Sequence, residues 1–358
     1  MKQSMQKDKL TVLVLGVGGN VSQGILKALA CSTFDCRVVG ACISPDALGL
    51  FTTDRSYVSP LARSAEFLPW LLGVCRNERI HAILSGVEPV LDLLLRHQAE
   101  IRAQTGAICV VDTAEAMAIG ADKLRTCEWL RDHGFGYPLF AATEDAAGLA
   151  HLLAAKGFPL IAKPRMGKGS SGIHVVRDQP MLDRVRLLPG YVVQEYLGDD
   201  QTEYTAGCFS DRDDRVRGVI VLHRRLEHGT TARATAGLFP AVREEAQRIA
   251  AALRPRGPCN IQMRMHHGRP VCFEINVRFS GTTPMRARLG FNDVEATLRH
   301  YVLGEPAVDL PVVTQGEVLR YWNEVYVAPE ALAELAKNSA LANPTKFPLL
   351  LEDYGRRL

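Results

Sequence analysis

The sequence predicts a mixed α/β and α+β protein, in which a Rossmann-like domain with a parallel sheet precedes a region of antiparallel hairpins. Over the first 112 residues, short and wholly apolar runs alternate with amphipathic helical stretches, a pattern typical of βαβ units. From residue 113 onward, longer segments of alternating polarity follow turns rich in Gly and Pro, which predicts hairpins. The chain of 358 residues is long enough for two or three domains.

The N-terminal domain, residues 1–112, is predicted from the alternation of the two patterns. Residues 11–15 are β-branched and apolar, as expected of a strand that is buried on both faces. The stretches between the apolar runs have the amphipathic character of surface helices. In chain order we predict strand 11–15, helix 21–30, strand 37–43, helix 65–76, strand 80–84, helix 88–104 and strand 107–111.

The second domain, residues 113–310, begins with predicted helices at 114–119 and 122–133. Strands are then predicted at 160–163, 172–176, 191–195, 203–210, 217–222, 259–265 and 270–279, and further helices at 241–253 and 292–302. Residues 311–358 offer one strand, 318–327, and one helix, 329–337, and we interpret them as a C-terminal appendage.

Composition excludes several classes of partner and compartment. The chain has 42 Lys and Arg against 39 Asp and Glu, a net charge of +3, which is too small an excess to predict binding to nucleic acid. No apolar run approaches the roughly 20 residues that span a bilayer, and the polar first ten residues resemble no signal peptide. The nine Cys include no C-x-x-C pair, which favours free thiols in the reducing cytoplasm. A homo-oligomer is compatible with the sequence.

A glycine-rich turn, residues 16–24, follows the first predicted strand and opens a helix. Glycines at such a turn allow close approach of a ligand to the helix N-terminus. The spacing departs from G-x-G-x-x-G because Val21 stands at the third glycine, and no acidic residue ends the second strand. We therefore interpret it as a tight βα turn, with an NAD-linked oxidoreductase as the disfavoured alternative.

A second glycine cluster indicates a phosphate site. Lys163 ends an apolar strand, and the loop 165–172 supplies glycines, hydroxyls and further cations. Backbone N–H groups and cations together bind polyphosphate. A flexible hairpin is the alternative, but a lysine inside an apolar strand is costly unless it has an anionic partner.

A predicted hairpin around residues 259–279 carries the third group of polar residues. Strict alternation places Glu274, Asn276 and Arg278 on one face, opposite Phe273 and the apolar positions that follow it. A turn centred on Gly268 would pair Gln262 with Glu274 and Asn260 with Asn276, while His266 and His267 would be exposed in the turn. Carboxylate and amide oxygens suit Mg²⁺, and a guanidinium suits phosphate or carboxylate. The alternative is an ordinary solvated face.

These motifs, in this order, resemble the ATP-grasp superfamily over about residues 11–305. The pattern is most similar to the carbamoyl-phosphate-synthetase-like branch and its short carboxylate–amine ligase relatives. The resemblance implies a Rossmann-like pre-ATP-grasp domain at 1–112 and a two-lobed ATP-grasp domain at 113–310, with a lid lobe at about 135–193. The sequence departs from the synthetase after Arg278, where it reads Phe-Ser-Gly-Thr-Thr-Pro.

The resemblance also implies roles for individual residues. Those implied in ATP binding are Lys123, Lys163, Gly167, Lys168, Gly169, Ser170, Ser171, Gly172, Glu195, Tyr196, Leu197 and Glu203. Within this set, Glu195 would accept from the adenine amino group and Glu203 would bind the ribose. Two Mg²⁺ ions, or Mn²⁺ in their place, would be held by Gln262, Glu274 and Asn276, and the implied catalytic residues are Arg278, Lys163 and Asn276.

The activity implied is that of an ADP-forming ligase. A small-molecule carboxylate would be phosphorylated by ATP to an acyl phosphate, and an amine would displace phosphate to give an amide or peptide bond. Candidates for substrate contacts are Arg225, His228, Ser280, Arg286 and Arg288. A kinase-like or carbamoyl-phosphate-type step without amine ligation, and a catalytically silent nucleotide-binding regulator, are the remaining alternatives. The sequence names neither substrate.

Overall fold

The structure is a computed structural model that describes residues 9–167, 171–198, 200–321, 324–342 and 350–351. Its N-terminal part is a parallel sheet flanked by helices, as the sequence predicts. The elements are β1 (Leu10–Leu15), α1 (Asn20–Ala30), β2 (Cys36–Cys42), β3 (Arg55–Val58), α2 (Phe67–Glu78), β4 (Ala82–Ser85), α3 (Glu88–Thr105) and β5 (Ile108–Cys109). The strand order is β3-β2-β1-β4-β5, so the chain reverses its winding direction beside β1.

Strand β1 is buried on both faces, which is why its sequence is continuously apolar. Val12 and Val14 pack into the core on one side of the sheet, and Leu13 and Leu15 into the core on the other. Strand β3 was not predicted, because its sequence, Arg-Ser-Tyr-Val, lacks an apolar run. The confirmed parallel sheet brings the glycine-rich turn, and with it the start of α1, to the carboxyl edge of β1.

Two helices, α4 (Ala114–Ala121) and α5 (Lys123–Asp132), lead into a four-stranded antiparallel sheet. Its elements are β6 (Phe140–Ala142), α6 (Ala146–Lys156), β7 (Leu160–Pro164), β8 (His174–Val176), α7 (Gln179–Val185) and β9 (Tyr191–Glu195), in the strand order β6-β9-β7-β8. This sheet has its own apolar core. The predicted strands 160–163 and 191–195 are confirmed as β7 and β9, whereas β6, α6 and α7 were not predicted.

A six-stranded sheet forms the remaining layer. Its first elements are β10 (Glu203–Ser210), β11 (Val216–Glu227), β12 (Thr230–Gly237), α8 (Pro240–Leu253), β13 (Gly257–His266), β14 (Arg269–Asn276), α9 (Thr283–Arg288) and α10 (Asp293–Thr297). Helix α8 packs on one face of the sheet through Val242, Ala246 and Ile249. Strand β12 was missed, because small and polar residues (Thr-Thr-Ala-Arg-Ala-Thr-Ala-Gly) carry no apolar alternation.

Residues after 310 add strands to the six-stranded sheet and to the N-terminal sheet, and two of their strands pair in a further two-stranded sheet. The elements are β15 (Gln315–Leu319), β16 (Val325–Tyr326), α11 (Pro329–Asn338), β17 (Ala340–Ala342) and β18 (Leu350–Leu351). Strand β15 pairs with β12, β17 pairs antiparallel with β3 at the edge of the N-terminal sheet, and β16 pairs with β18. The helix predicted at 329–337 is confirmed, while the strand predicted at 318–327 is replaced by β15 and β16. The division of the chain at residues 112 and 310 stays a prediction.

No helix among the described residues has the length and apolar character needed to cross a bilayer.

Candidate active site

A cavity of about 620 Å³ lies where the three sheets meet. It is lined by the start of α1 from the N-terminal sheet, by β7 and the segment after β9 from the four-stranded sheet, and by β11 to β14 from the six-stranded sheet. The sequence-predicted residues that line it are Lys123, Lys163, Gly167, Ser171, Glu195, Tyr196, Leu197, Glu203, His228, Gln262, Glu274, Asn276, Arg278 and Ser280. Gly172 is not in the lining, and Lys168, Gly169 and Ser170 lie outside the described residues.

One end of the cavity has apolar walls. Leu197 follows β9 and packs with Phe273, and Ile161 and Ile173 complete the walls. Apolar faces around an exposed backbone segment suit a flat heteroaromatic ring, which stacks on side chains and pairs its edge with the backbone.

Glu195, at the end of β9, is already engaged in this structure. Its Oε1 lies 2.5 Å from Lys156 Nζ and 3.2 Å from His266 Nε2, and its Oε2 accepts from the Leu139 backbone N–H at 3.2 Å. Burial alone would raise the pKa of this carboxyl, but the bonds from Lys156 and Leu139 lower it overall. The expectation that His266 is solvent-exposed is wrong, since its side chain retains 22% exposure and faces Glu195.

Glu203 anchors two arginines. Glu203 is 2% exposed. Arg224 Nη2 donates to its Oε1 at 2.6 Å, and Arg264 Nη2 donates to its Oε2 at 2.8 Å. Arg224 also donates to Gln262 Oε1 at 2.8 Å. The carboxylate expected to bind ribose is therefore enclosed between guanidinium groups, and the oxygen of Gln262 expected to bind metal faces Arg224.

Two lysines stand at the middle of the cavity. Lys123 Nζ donates to the Gly167 carbonyl at 3.0 Å, which ties the start of α5 to the glycine-rich loop. Lys163 is 9% exposed, its Nζ is 5.0 Å from the centre of the Phe273 ring, and it forms no ion pair with a described carboxylate. Burial lowers its pKa to about 8, against an opposing effect of Glu274. A buried cation that lacks a counter-ion is suited to receive an anionic ligand.

The predicted pairing of the hairpin is confirmed. Gln262 lies opposite Glu274, and Asn260 lies opposite Asn276. The predicted placement of Phe273 on the opposite face is wrong, because the register shifts after Gln262 so that Met263 pairs with Cys272. This bulge leaves Phe273 as an extra residue whose side chain lines the cavity.

The oxygen donors that remain suit a small hard cation together with phosphate. Asn276 Nδ2 donates to Glu274 Oε1 at 3.0 Å, which leaves Glu274 Oε2 and Asn276 Oδ1 as ligands. No cluster of three or more His, Cys, Asp or Glu in the described part of the chain forms an all-protein metal site. Mg²⁺ fits such a sparse set, because it is commonly held by one or two protein oxygens plus substrate phosphates and water.

Arg278 lies beyond the end of β14 and not within the strand predicted at 270–279. Its backbone N–H donates to the Asn276 carbonyl at 2.9 Å. The guanidinium is held from two sides: Nη2 is 3.0 Å from Oε1 of Glu88, the first residue of α3, and Nη1 donates to the Phe279 carbonyl at 2.9 Å. The ion pair with Glu88 connects the N-terminal sheet to the candidate site.

Only two of the five expected substrate residues reach the cavity. Ser280 is buried and lines it, and His228 lines it from the two-residue turn between β11 and β12, in which His228 and Gly229 both have positive φ. Arg225 and Arg288 are exposed and outside the lining. Arg225 points away because its neighbour Arg224 faces inward, as alternation along a strand requires.

Arg286, the fifth, is a buried structural residue. It is 1% exposed, and its Nη2 donates to Asp293 Oδ2 at 2.7 Å and to Thr283 Oγ1 at 2.9 Å. The sequence shows that Arg286 is charged, but it does not show that Asp293, seven positions later, pairs with Arg286 inside the core.

We expect the Asp293→Ala variant to lose about 3–5 kcal/mol of unfolding free energy, because it leaves the Arg286 guanidinium buried without its counter-ion. Urea titration followed by circular dichroism measures this. The exposed Arg288→Ala variant serves as the control and should change stability by less than about 0.5 kcal/mol. A small loss for Asp293→Ala would return Arg286 to the list of candidate substrate residues.

Other residues in the cavity lining, or bonded to it, were missed by the sequence analysis. Gly19 and Asn20 of the glycine-rich turn line it, and Asn20 Nδ2 donates to Thr230 Oγ1 at 3.2 Å. Arg320, which follows β15, donates to Thr230 Oγ1 and to the Gly281 carbonyl, each at 2.7 Å, and burial lowers its pKa. The glycine-rich turn was a usable signal for Gly19 and Asn20, but nothing in the sequence connects Arg320 with Gly281.

Comparison with solved structures identifies the fold. N5-carboxyaminoimidazole synthetase from Staphylococcus aureus, solved as a complex with ADP, superposes with a TM-score of 0.68 at 13% identity and covers 92% of this chain and 86% of that chain. Biotin carboxylase from Campylobacter jejuni gives a TM-score of 0.64 at 17% identity, covering 84% and 73%. A family model described as "ATP-grasp in the biosynthetic pathway with Ter operon" matches residues 188–325.

The chain has the ATP-grasp fold. This confirms the resemblance and the fold class predicted from the sequence. The large chain of carbamoyl phosphate synthase from Methanosarcina mazei is 24% identical over 311 residues, which cover 77% of this chain and 28% of that protein. The large chain from Halobacterium salinarum is 23% identical over 333 residues, covering 85% and 31%. This chain thus spans less than a third of the length of these relatives.

Proposed function

We propose that this protein is an ATP-dependent, ADP-forming ligase that activates a carboxylate as an acyl phosphate and joins it to an amine. One observation carries the proposal: Lys163, Glu274, Asn276 and Arg278 line a single cavity, one end of which has apolar walls. The carbamoyl phosphate synthase relatives and the ADP complex of a structural neighbour support it. ATP is accordingly the proposed cosubstrate, with Mg²⁺ as its proposed metal.

In this proposal the adenine ring lies between Leu197 and Phe273, and the phosphates extend towards Lys123 and Lys163. Lys163 neutralises phosphate charge in a buried setting, where a cation has a larger effect than in water. Glu274 and Asn276 hold Mg²⁺, which when bound offsets the charge on the β and γ phosphates. Arg278 faces the group that is being phosphorylated.

Arg278 has the reach and the donors for this task. It is two residues after Asn276, and its guanidinium can offer two parallel hydrogen bonds to a carboxylate or a phosphoryl group. In the structure those donors are held by Glu88 and the Phe279 carbonyl. We propose that the incoming carboxylate takes the place of Glu88 on the guanidinium.

Closing the cavity around the acyl phosphate would protect it from water. Lys123 bonds to the carbonyl of Gly167, which begins the glycine-rich segment between β7 and β8. Exclusion of water lets the amine and not hydroxide attack the activated carbonyl. We propose this segment as the lid of the site.

The experiment that tests the function is a product assay. Purified protein is incubated with Mg-ATP and with panels of carboxylates and amines, and nucleotides are separated by chromatography. We expect ADP and phosphate formed in proportion to an amide product. AMP and pyrophosphate would overturn acyl-phosphate chemistry, and ADP release that needs a carboxylate but no amine would show the kinase-like alternative.

We expect nucleotide binding to take up a proton at about pH 9 and to take up almost none at about pH 7. Burial lowers the pKa of Lys163 to about 8, and bound phosphates would stabilise its ammonium form. Above that pKa the free protein must gain a proton to bind, so nucleotide affinity falls as pH rises. Calorimetry in two buffers with different ionisation enthalpies measures the uptake.

The Lys163→Arg variant is the control for this measurement, since a guanidinium remains protonated throughout the range. Its binding enthalpy should not depend on the buffer. Equal proton uptake in the variant and the natural protein would assign the proton to another group.

We further propose a cytoplasmic location, with small-molecule carboxylate and amine as the only substrates besides ATP. All nine cysteines lie within the described residues and none forms a disulfide. Six of them are buried, and burial raises the pKa of three of these, Cys75, Cys127 and Cys208, to about 12, which disfavours the reactive thiolate.

A further inference from the structure

Asn260 has an unused hydrogen-bond donor inside the cavity wall. The residue is on β13, is 1% exposed and lies opposite Asn276 in the hairpin. The residue is one of those that line the cavity. Among the described residues its Nδ2 has no hydrogen-bond partner. An unpaired buried donor costs about 1–3 kcal/mol, so its retention indicates a partner that binds there.

The orientation of this carboxamide is fixed by its other atom. Asn260 Oδ1 accepts from Thr205 Oγ1 at 2.9 Å and from Arg286 Nη1 at 3.2 Å. A guanidinium only donates, so the flipped amide would put two donors against each other. The oxygen must therefore face Arg286, and the buried NH₂ group is the atom left without a partner among the described residues.

Arg286 is itself held in place. Asp293 and Thr283 accept from its Nη2, and the Ser280 backbone N–H donates to the same Thr283 hydroxyl at 3.0 Å. This buried set connects Asn260 with the turn that follows Arg278. Gly207 leaves room for it, since a Cβ there would come within 2.2 Å of Arg286 Nη1.

The position of Asn260 in the sheet indicates what it meets. Its partner Asn276 bonds to Glu274, the carboxylate expected beside the β and γ phosphates, and Arg278 follows Asn276. Asn260 is thus at the end of the hairpin face nearest to Arg278 and farthest from Glu203, which pairs with Arg264 on the same strand. A donor at this end is therefore on the part of the hairpin next to Asn276 and Arg278, where phosphoryl transfer is proposed.

We propose that Asn260 donates a hydrogen bond from Nδ2 to an oxygen of the phosphoryl group during its transfer, and that Arg286 is the positioning residue that aims it. The bond stabilises the charge on the equatorial oxygens and involves no proton transfer. The inference rests on the proposed function, because it presumes phosphoryl transfer in this cavity.

The test compares two complexes, MgADP alone and MgADP with aluminium fluoride, which imitates the transferring phosphoryl group. Affinities are measured by calorimetry for the natural protein and for Asn260→Asp and Asn260→Ala. We expect MgADP affinity to stay within about 3-fold, because ADP has no γ-phosphoryl group. The gain in affinity on adding aluminium fluoride should fall about 10-fold or more in both variants, as expected for a hydrogen bond to a charged group.

Asn292→Asp is the matched control. Asn292 is also a buried asparagine, and its Nδ2 donates to the Ala28 carbonyl at 3.0 Å, away from the cavity lining. Its substitution should leave the aluminium fluoride gain unchanged. The near-ultraviolet circular dichroism of every variant reports whether the fold is retained.

Three outcomes overturn the inference. The first is that Asn260→Ala retains the gain in affinity on adding aluminium fluoride, which would mean that any loss in Asn260→Asp comes from the added charge. Both variants lose MgADP affinity and the gain together, which would make Asn260 a ground-state or structural residue. The natural protein binds MgADP but shows no gain with aluminium fluoride, which would overturn the proposed function as well and is recognised before any variant is compared.

Discussion

The Glu274→Gln variant is expected to lose turnover by about 100-fold or more while keeping its fold. Among the carboxylates that line the cavity, Glu274 keeps an oxygen that no described donor engages, whereas both oxygens of Glu195 and of Glu203 accept from cations or from a backbone N–H. Glutamine keeps the shape and the bond with Asn276 but removes the charge that holds Mg²⁺. ADP release at saturating Mg-ATP measures the effect.

Two further measurements make this result specific. The Glu317→Gln variant changes an acidic residue on the same sheet, outside the cavity, and should retain turnover. Raising the Mg²⁺ concentration should partly restore Glu274→Gln, because a weakened site is filled by mass action. Near-normal turnover in Glu274→Gln would mean that the polar face of the hairpin is an ordinary solvated surface.

The parts of the site that the sequence predicted correctly are those governed by local geometry. Alternation along a strand and a tight turn at Gly268 were enough to pair Gln262 with Glu274 and Asn260 with Asn276. Phe273 was misplaced because a bulge in β14 adds one unpaired residue. The bulge changes the direction of the Phe273 side chain, and the alternation of residue types along the strand does not reveal it.

The parts that the sequence did not predict depend on burial and on distant segments. Arg225 and Arg286 carry charges that suggested substrate contacts, but one lies outside the cavity and the other is paired with Asp293 in the core. Arg224, Arg264 and Lys156 neutralise carboxylates that were expected to be free for nucleotide. Such pairings follow from tertiary packing, which no periodicity in the sequence records.

The contact between the N-terminal sheet and the hairpin is of the same kind. Glu88 begins α3 and Arg278 follows β14, 190 positions apart, yet they form an ion pair at 3.0 Å. The contact allows the N-terminal part to influence the site, because anything that displaces Glu88 also frees the guanidinium. Its partial exposure, 40% for Glu88, keeps the pair weak enough to be exchanged for a substrate carboxylate.

The Arg278→Lys variant is expected to bind Mg-ATP within a few-fold of the natural protein and to lose turnover by about 100-fold or more. Lysine keeps the positive charge, but it cannot offer two parallel hydrogen bonds to the carboxylate and the phosphoryl group as they react. Binding is measured by calorimetry with Mg-ADP, and turnover by ADP release with a substrate found in the product assay.

The Glu88→Gln variant is the companion to Arg278→Lys, because it frees the guanidinium without removing it. If the substrate carboxylate replaces Glu88 on Arg278, this variant should lower the KM for the carboxylate and leave kcat close to that of the natural protein. Arg278→Lys, in contrast, should lower kcat. Equal losses of nucleotide binding and turnover in Arg278→Lys would instead assign the arginine to ground-state binding of ATP, since a residue that acts only at the transfer step cannot change the affinity for ADP.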